Sequence, residues 1–336
     1  MGQQVTQVNA PFLYYGDAMR NAPLIIVLSS MLATPMLAES NKEVVYGSVA
    51  RSGGEIVPMY DKGFLIYLHL PNRLRVFGPD TQVAFDIAMP CPGTGDCSIG
   101  ATAVDAHGNV AVGLGYWADG SKAGGIRILN RKGQQIQFFG TLLYVPSHLV
   151  FDKNGDLWAI GWQRDPVLKD RESKIDYNLV RKFSLDGKLI GQYVARSLWP
   201  APQSRPGAGM RGYWTMSAAN DRIGVMMHES NADNPPEWVE WDLAGKLINR
   251  TILEGRLHGR AFTASGRLYA QFAAGNQWPV LKVLDTAKGT WTITPDNLPV
   301  QDHGAKPFLI GADGDDLVYE TGSGNLHLVW SKPGVR

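Results

Sequence analysis

Apolar and polar positions alternate along this chain with the two-residue period of half-buried strands, and short turn phrases cut the alternation at intervals. An apolar, β-prone stretch runs into Gly, Asp or Asn, and a second apolar stretch follows at once. The phrase reads Tyr60-Asp61-Lys62-Gly63-Phe64, Val104-Asp105-Ala106-His107-Gly108-Asn109-Val110 and Phe151-Asp152-Lys153-Asn154-Gly155-Asp156-Leu157. It returns as Ala219-Asn220-Asp221-Arg222-Ile223, Phe262-Thr263-Ala264-Ser265-Gly266-Arg267-Leu268 and Ala312-Asp313-Gly314-Asp315-Asp316-Leu317. Six copies, mostly about 45 to 50 residues apart, mean one supersecondary unit per period.

Behind each phrase come two further strands joined by a second Gly-containing turn. These turns are Gly78-Pro79-Asp80, Asn130-Arg131-Lys132-Gly133, Leu185-Asp186-Gly187-Lys188, Leu243-Ala244-Gly245-Lys246 and Thr286-Ala287-Lys288-Gly289. Four antiparallel strands per period of this length make one blade of a β-propeller. The last period offers three strands, Lys306 to Ala312, Leu317 to Thr321 and Asn325 to Trp330, and then the chain stops. Near the start, Glu43 to Ala50 is strand-like but lies too far ahead of the first phrase to be its inner strand, a place that Glu55 to Tyr60 can fill. The expectation is an all-β, six-bladed propeller whose N-terminal strand completes the last blade and closes the ring, removing exposed sheet edges.

Composition agrees. The 336 residues are 44% hydrophobic with mean hydropathy -0.14, and 38 Gly and 20 Pro suit many short strands and turns. Formal net charge is +1, from 32 basic and 31 acidic residues, with no long basic block, so no nucleic-acid partner is expected. The N-terminus looks like an address. From Met19 the chain reads Met-Arg-Asn, then an apolar run from Ala22 to Leu37 ending in Ala38-Glu39-Ser40, the layout of a secretory signal peptide. The run is short of the roughly 20 apolar residues a membrane span needs. Residues 1–38 are therefore read as extension and signal peptide, with Met1 or Met19 as start, and residues 39–336 as a secreted or periplasmic propeller without a membrane span. A buried N-terminal helix is the competing reading of the run. Cys91 and Cys97 are the two cysteines, and in an exported chain such a close pair is expected to form a disulfide.

The phrases Phe151-Asp152-Lys153-Asn154-Gly155-Asp156-Leu157-Trp158-Ala159-Ile160 and Phe183-Ser184-Leu185-Asp186-Gly187-Lys188-Leu189 resemble blades of six-bladed propellers of the NHL-repeat and TolB-like kind. That resemblance spans residues 43–332 and speaks to blade structure rather than activity, because the fold hosts binding modules and hydrolases alike.

Two insertions, Gln163 to Ile175 and Leu198 to Met210, fall at one end of the strand pattern, where loops on a rigid scaffold build sites. That end gathers His148, His228 and His258, the cations Arg211, Arg260 and Lys306, and the aromatics Trp162, Trp199, Tyr213, Trp214 and Trp278. Cations pair with carboxylate or phosphate, and aromatic faces suit sugar rings or apolar groups. The leading expectation is a non-catalytic recognition module for a peptide, protein or glycan, with no cofactor. Facing histidines such as His148 and His258 could instead bind a divalent metal, although no local ligand pair supports it. Propellers resembling the gluconolactonase family imply the alternative, a metal-assisted lactonase at the channel mouth. Glu229, Asn231, Asp233 and Asp302 are the oxygen ligands on offer, but that family's Asn-Gly-Leu phrase is missing.

Overall fold

The computed structural model describes residues 42–334 apart from loop stretches, the longest of them 199–214, 228–236 and 295–306. The described strands lie in a unit spanning Asn41–Arg336. In chain order they are β1 (Lys42–Ala50), β2 (Glu55–Pro58), β3 (Phe64–Leu68), β4 (Arg73–Phe77), β5 (Val83–Ala88), β6 (Cys97–Val104), β7 (Val110–Ala118) and β8 (Ser121–Leu129). There follow β9 (Gln135–Leu142), β10 (Tyr144–Phe151), β11 (Leu157–Gln163), β12 (Asn178–Phe183), β13 (Leu189–Ala195), β14 (Thr215–Ala218), β15 (Arg222–Met227) and β16 (Glu237–Asp242). The last eight are β17 (Leu247–Ile252), β18 (Leu257–Phe262), β19 (Leu268–Ala274), β20 (Gln277–Asp285), β21 (Thr290–Ile293), β22 (Phe308–Asp313), β23 (Asp316–Thr321) and β24 (Asn325–Ser331).

These strands form four-stranded antiparallel sheets, the blades of an all-β propeller. Sheet 1 is β2-β3-β4-β5, sheet 2 is β6-β7-β8-β9, sheet 3 is β10-β11-β12-β13, sheet 4 is β14-β15-β16-β17 and sheet 5 is β18-β19-β20-β21. Sheet 6 runs β22-β23-β24-β1, with β1 paired antiparallel to β24 from Lys42↔Trp330 to Tyr46↔Leu326. The early strand thus supplies the fourth strand that the last period lacks.

Two of the turn phrases owe their shape to a single carboxylate, and in a third the Thr263 hydroxyl takes that place, accepting Arg267 N at 3.1 Å. At Asp105, Oδ1 accepts the amides of His107 and Asn109 at 2.8 Å each, while Gly108 takes a φ of 78°. At Asp152 the same oxygen accepts Asn154 N and Asp156 N, and Gly155 sits at φ 81°. Both are Asx turns that need a residue without a Cβ at the left-handed position. Asp152 is used further. Its Oδ2 accepts the indole N–H of fully buried Trp158 at 2.9 Å and lies 3.1 Å from Lys182 Nζ.

Successive sheets pack face to face. Leu74, Phe85 and Met89 meet Ile99, Val112 and Leu114 between sheets 1 and 2. Ala101 and Ile126 meet Tyr144 and Leu149 between sheets 2 and 3. Trp158 and Leu179 meet Ile223 and Trp241 between sheets 3 and 4. Trp238 meets Phe262 and Leu268 between sheets 4 and 5, and Tyr269 meets Leu309 and Leu317 between sheets 5 and 6. Finally β2 lies against β22. Of the four tryptophans expected in the core from their positions within strands, Trp158, Trp241 and Trp330 are buried, whereas Trp291 is only partly buried against the sheet 4–sheet 5 cluster.

One junction departs from the others. A single residue, Leu143, separates β9 from β10, so β10 begins at the outer strand of sheet 2 and crosses its face to the inner one. Glycines make this possible. A Cβ on Gly124 would stand 1.8 Å from Tyr144 O, one on Gly100 2.8 Å from Pro146 O, and one on Gly113 3.0 Å from Pro146 Cβ. The crossing also places Leu142 at φ 57° with its side chain 82% exposed.

Candidate functional site

The strand order separates two kinds of connection. Links from first to second and from third to fourth strands are tight turns at one end. Links from second to third strands, and from one sheet to the next, leave at the opposite end. Both sequence insertions belong to that second group, one between β11 and β12 and the other after β13.

The first insertion is held by a buried polar network on sheet 3. Its base is a bridge pairing Arg164 with Glu172, with Asp165 N donating to Arg171 O and Ser173 N to Gln163 O, each at 2.8 Å. Glu172 Oε1 then accepts the phenol of Tyr177 at 2.5 Å and Arg196 Nε at 2.8 Å. Arg196 is 6% exposed, and its amide donates to Tyr177 O. Val194, at φ 62°, turns the end of β13 so that Arg196 dips under the loop. A β-branched residue in this conformation is strained, and the network is what holds it. Beside it Ser197 donates from N and Oγ to Asp176, and these bonds hold the Asp176 carboxyl below its usual range. Burial, followed by the bond to Glu172, pushes the Tyr177 phenol up.

Above the network sit aromatic and cationic groups. The Arg164 guanidinium lies 5.0 Å over the ring of Trp162, which is half-buried against the sheet 3–sheet 4 core. Arg181 lies 4.1 Å over the ring of Tyr144 and donates to Gln163 Oε1 at 2.8 Å. Burial lowers the Arg181 pKa. Tyr144 is fully buried and its phenol donates to Leu179 O at 2.8 Å. Together these contacts make a rigid pedestal from which the two longest insertions leave sheet 3. Trp117, 41% exposed, stands on sheet 2 near the same end.

Of the residues expected from sequence, His148, Trp162 and Arg260 have described side chains, and all three are half-buried. His148 faces Ile160 across β10 and β11, and Arg260 faces Ala270 across β18 and β19. His258 and Trp278 lie on β18 and β20. Trp199, Arg211, Tyr213, Trp214, His228 and Lys306 lie outside the described residues. The first strands β6, β10, β18 and β22 share a bulge near their starts. In β18 the register skips from Leu257 to Gly259, so His258 is the bulged residue. In β10 the skip is from Pro146 to His148, so the bulged residue is Ser147 and His148 follows it. His148 is also the fifth residue of its strand rather than near the start, because β10 begins early over sheet 2. The two histidines therefore occupy different positions relative to the bulge, one at it and one after it.

The expected disulfide is present, joining Cys91 and Cys97 with Cα atoms 5.3 Å apart. Among the described residues no three His, Cys, Asp or Glu side chains are grouped to hold a metal ion, and no helix is long and apolar enough to cross a membrane. Sequence reasoning missed Glu172, Tyr177 and Arg196. Glu172 lies within the first insertion, Tyr177 and Arg196 flank the two insertions, and the three satisfy one another only once these segments meet.

No family model matches the chain, and no curated protein matches it. Solved structures do. A gluconolactonase, XC5397 from Xanthomonas campestris, aligns at 14% identity with TM-score 0.49, over 87% of this chain and 90% of that one. The PQQ-bound aldose sugar dehydrogenase of Streptomyces coelicolor aligns at 14% identity with TM-score 0.46, over 86% and 98%. TolB of Acinetobacter baumannii aligns at 10% identity with TM-score 0.40, over 84% and 64%.

Proposed function

We propose that the six sheets are the blades of one closed ring, and that the chain is an exported, non-catalytic recognition module for a protein, peptide or glycan. The pairing of β1 with β24 and the contact of β2 with β22 support the closed ring. The observation that carries the function is the division of the two ends. Tight Asx-type turns finish one end, whereas the other bears the long insertions, held on sheet 3 by the Glu172, Tyr177 and Arg196 network. A rigid scaffold presenting adaptable loops with Trp, Tyr and Arg is the usual construction of a recognition surface. The signal-like run from Ala22 to Leu37 supports export to a secreted or periplasmic location.

The test is a screen of the purified mature chain on glycan and peptide arrays, with hits measured by calorimetry and repeated for Trp199→Ala and Trp214→Ala. Central aromatic anchors are worth at least about 2 kcal/mol, so affinity is expected to fall about 30-fold. Unchanged affinity in both variants refutes the rim site. Uptake of a divalent cation with lactone hydrolysis refutes the non-catalytic reading.

A further inference from the structure

The segment joining sheet 1 to sheet 2 is tied down at four points. Met89 N donates to Asn72 O at 2.8 Å, and the Asn72 side-chain amide donates to Cys97 O. Asn72 adopts φ 49°, the turn that lets it hold both ends of the segment. The third tie is the disulfide between Cys91 and Cys97. The fourth is Arg127, reaching from β8, whose Nη1 donates to Pro90 O at 2.5 Å and lies 3.2 Å from Met89 Sδ.

Arg127 is an unusual tie. It is 5% exposed, and burial lowers its pKa, with no carboxylate opposing that shift. Its neighbours are a carbonyl, a thioether and the ring of Phe138, 5.7 Å from the guanidinium carbon. Nε has no hydrogen-bond partner among the described residues. A buried cation so placed depends on the one strong acceptor it has among the described residues, Pro90 O, and Pro90 immediately precedes Cys91. Cys91 itself is half-buried, whereas Cys97 is buried.

We propose that the Cys91–Cys97 disulfide is a redox-sensitive latch on the junction of sheets 1 and 2, and that Arg127 is the group that registers whether the latch is shut. With the disulfide formed, Pro90 O is held against the guanidinium and Met89 stays in the core between the sheets. Opening it takes a dithiol. One thiolate attacks Cys91 Sγ, the S–S bond breaks, and Cys97 leaves as a thiolate that takes up a proton. The second sulfur of the dithiol then displaces Cys91, giving two cysteine thiols and an oxidised, cyclic reductant. Residues 90–97 gain freedom, Pro90 O drifts from Arg127, and the buried cation drives the junction open to reach water.

The test separates this coupling from the entropy that any disulfide removes from the unfolded chain, because that entropy is the same whatever residue stands at 127. Urea unfolding is measured for the wild type and Arg127→Met, each with and without dithiothreitol, with reduction verified by thiol titration. Reduction is expected to lower the folded-to-unfolded ratio of the wild type about 10- to 100-fold more than that of Arg127→Met. Equal losses in the two proteins overturn the proposal. Hydrogen exchange on the reduced wild type decides independently, should Arg127→Met not fold. The Met89 amide is expected to exchange at least about tenfold faster, with Ala270 in sheet 5 unchanged. An unaltered Met89 rate overturns the proposal.

Discussion

Replacing Glu172 by Gln tests the pedestal beneath the loop-rich end. The substitution keeps the shape and the acceptor for the Tyr177 phenol, but it removes the charge opposite Arg196. The Glu172 and Arg196 side chains are 14% and 7% exposed, so solvent does little to screen the pair. Losing one partner of a fully buried ion pair costs about 3–5 kcal/mol. Retaining a neutral acceptor recovers part of this, so Glu172→Gln is expected to cost about 2–3 kcal/mol. Arg196→Met leaves Glu172 with its phenol donor and a similar loss. The double variant is expected to lose less than the two single losses together, since neither charge then remains stranded. The assay is urea unfolding of all four proteins at low and high salt, with limited proteolysis of 164–177 as a local readout. A Glu172→Gln cost below about 0.5 kcal/mol, or additive losses, would show that the pair does not hold the insertion.

Alkali should weaken the fold through Tyr144 and Tyr177, which burial holds protonated above the ordinary tyrosine value near 10. Folding favours the neutral phenol, so their contribution is complete below pH 10 and is lost as pH rises toward the folded-state values. Each removes about 1.4 kcal/mol per pH unit in that window. Tyr177→Phe should lower the slope by about 1.4 kcal/mol per pH unit in a pH series of urea midpoints, and an unchanged slope would remove Tyr177 from the account. Gly124→Ala sets a Cβ 1.8 Å from a backbone oxygen of β10 and should cost at least about 1–3 kcal/mol, whereas at Gly140 the nearest atom is 3.6 Å away and Ala should cost under about 1 kcal/mol. Equal thermal midpoints for these two variants would contradict the crossing of β10 over sheet 2. Leu142→Gly removes a strained Cβ from an exposed site and should raise stability by a few tenths to about 1 kcal/mol in the same melts, and a loss would mean that the Leu142 side chain is held.

What could be read from the chain followed from locality. The clearest turn phrases announce themselves because one carboxylate, two amides and a glycine lie within five residues, as at Asp105 to Asn109 and Asp152 to Asp156. Once the turns are placed, the strands between them have little choice, and a three-stranded last period calls for Lys42–Ala50 to pair with Asn325–Ser331. The crossing of β10 was not legible, although its signal is present. Gly100, Gly113 and Gly124 are scattered over three strands and mean nothing until those strands align and another backbone lies across them. The bulge common to four inner strands was hidden for a related reason, since a one-residue skip leaves the alternation almost undisturbed. His258 falls on that bulge and His148 one residue past it.

The site was less legible than the fold because its groups are defined by one another rather than by their neighbours in sequence. Read alone, the stretch from Gln163 to Ile175 is an ordinary charged loop, and Arg196 is one more surface cation. Folding brings Glu172 to Arg196, 24 residues away, and makes each the reason the other can be buried. The same reasoning separates the cations of sheet 3 by task. Lys182 is committed to Asp152 and Asp156 at the tight-turn end, and Arg196 to Glu172. Arg181 leans on an aromatic ring and a neutral amide, and its partial burial already lowers its pKa. An anionic group on a ligand would relieve that cost more than a neutral one. If the loop-rich end does bind a ligand, the preference for acidic peptides or acidic sugars should therefore weaken in Arg181→Gln, with the affinity for neutral ligands unmoved. A uniform loss across both classes would assign Arg181 to scaffolding alone.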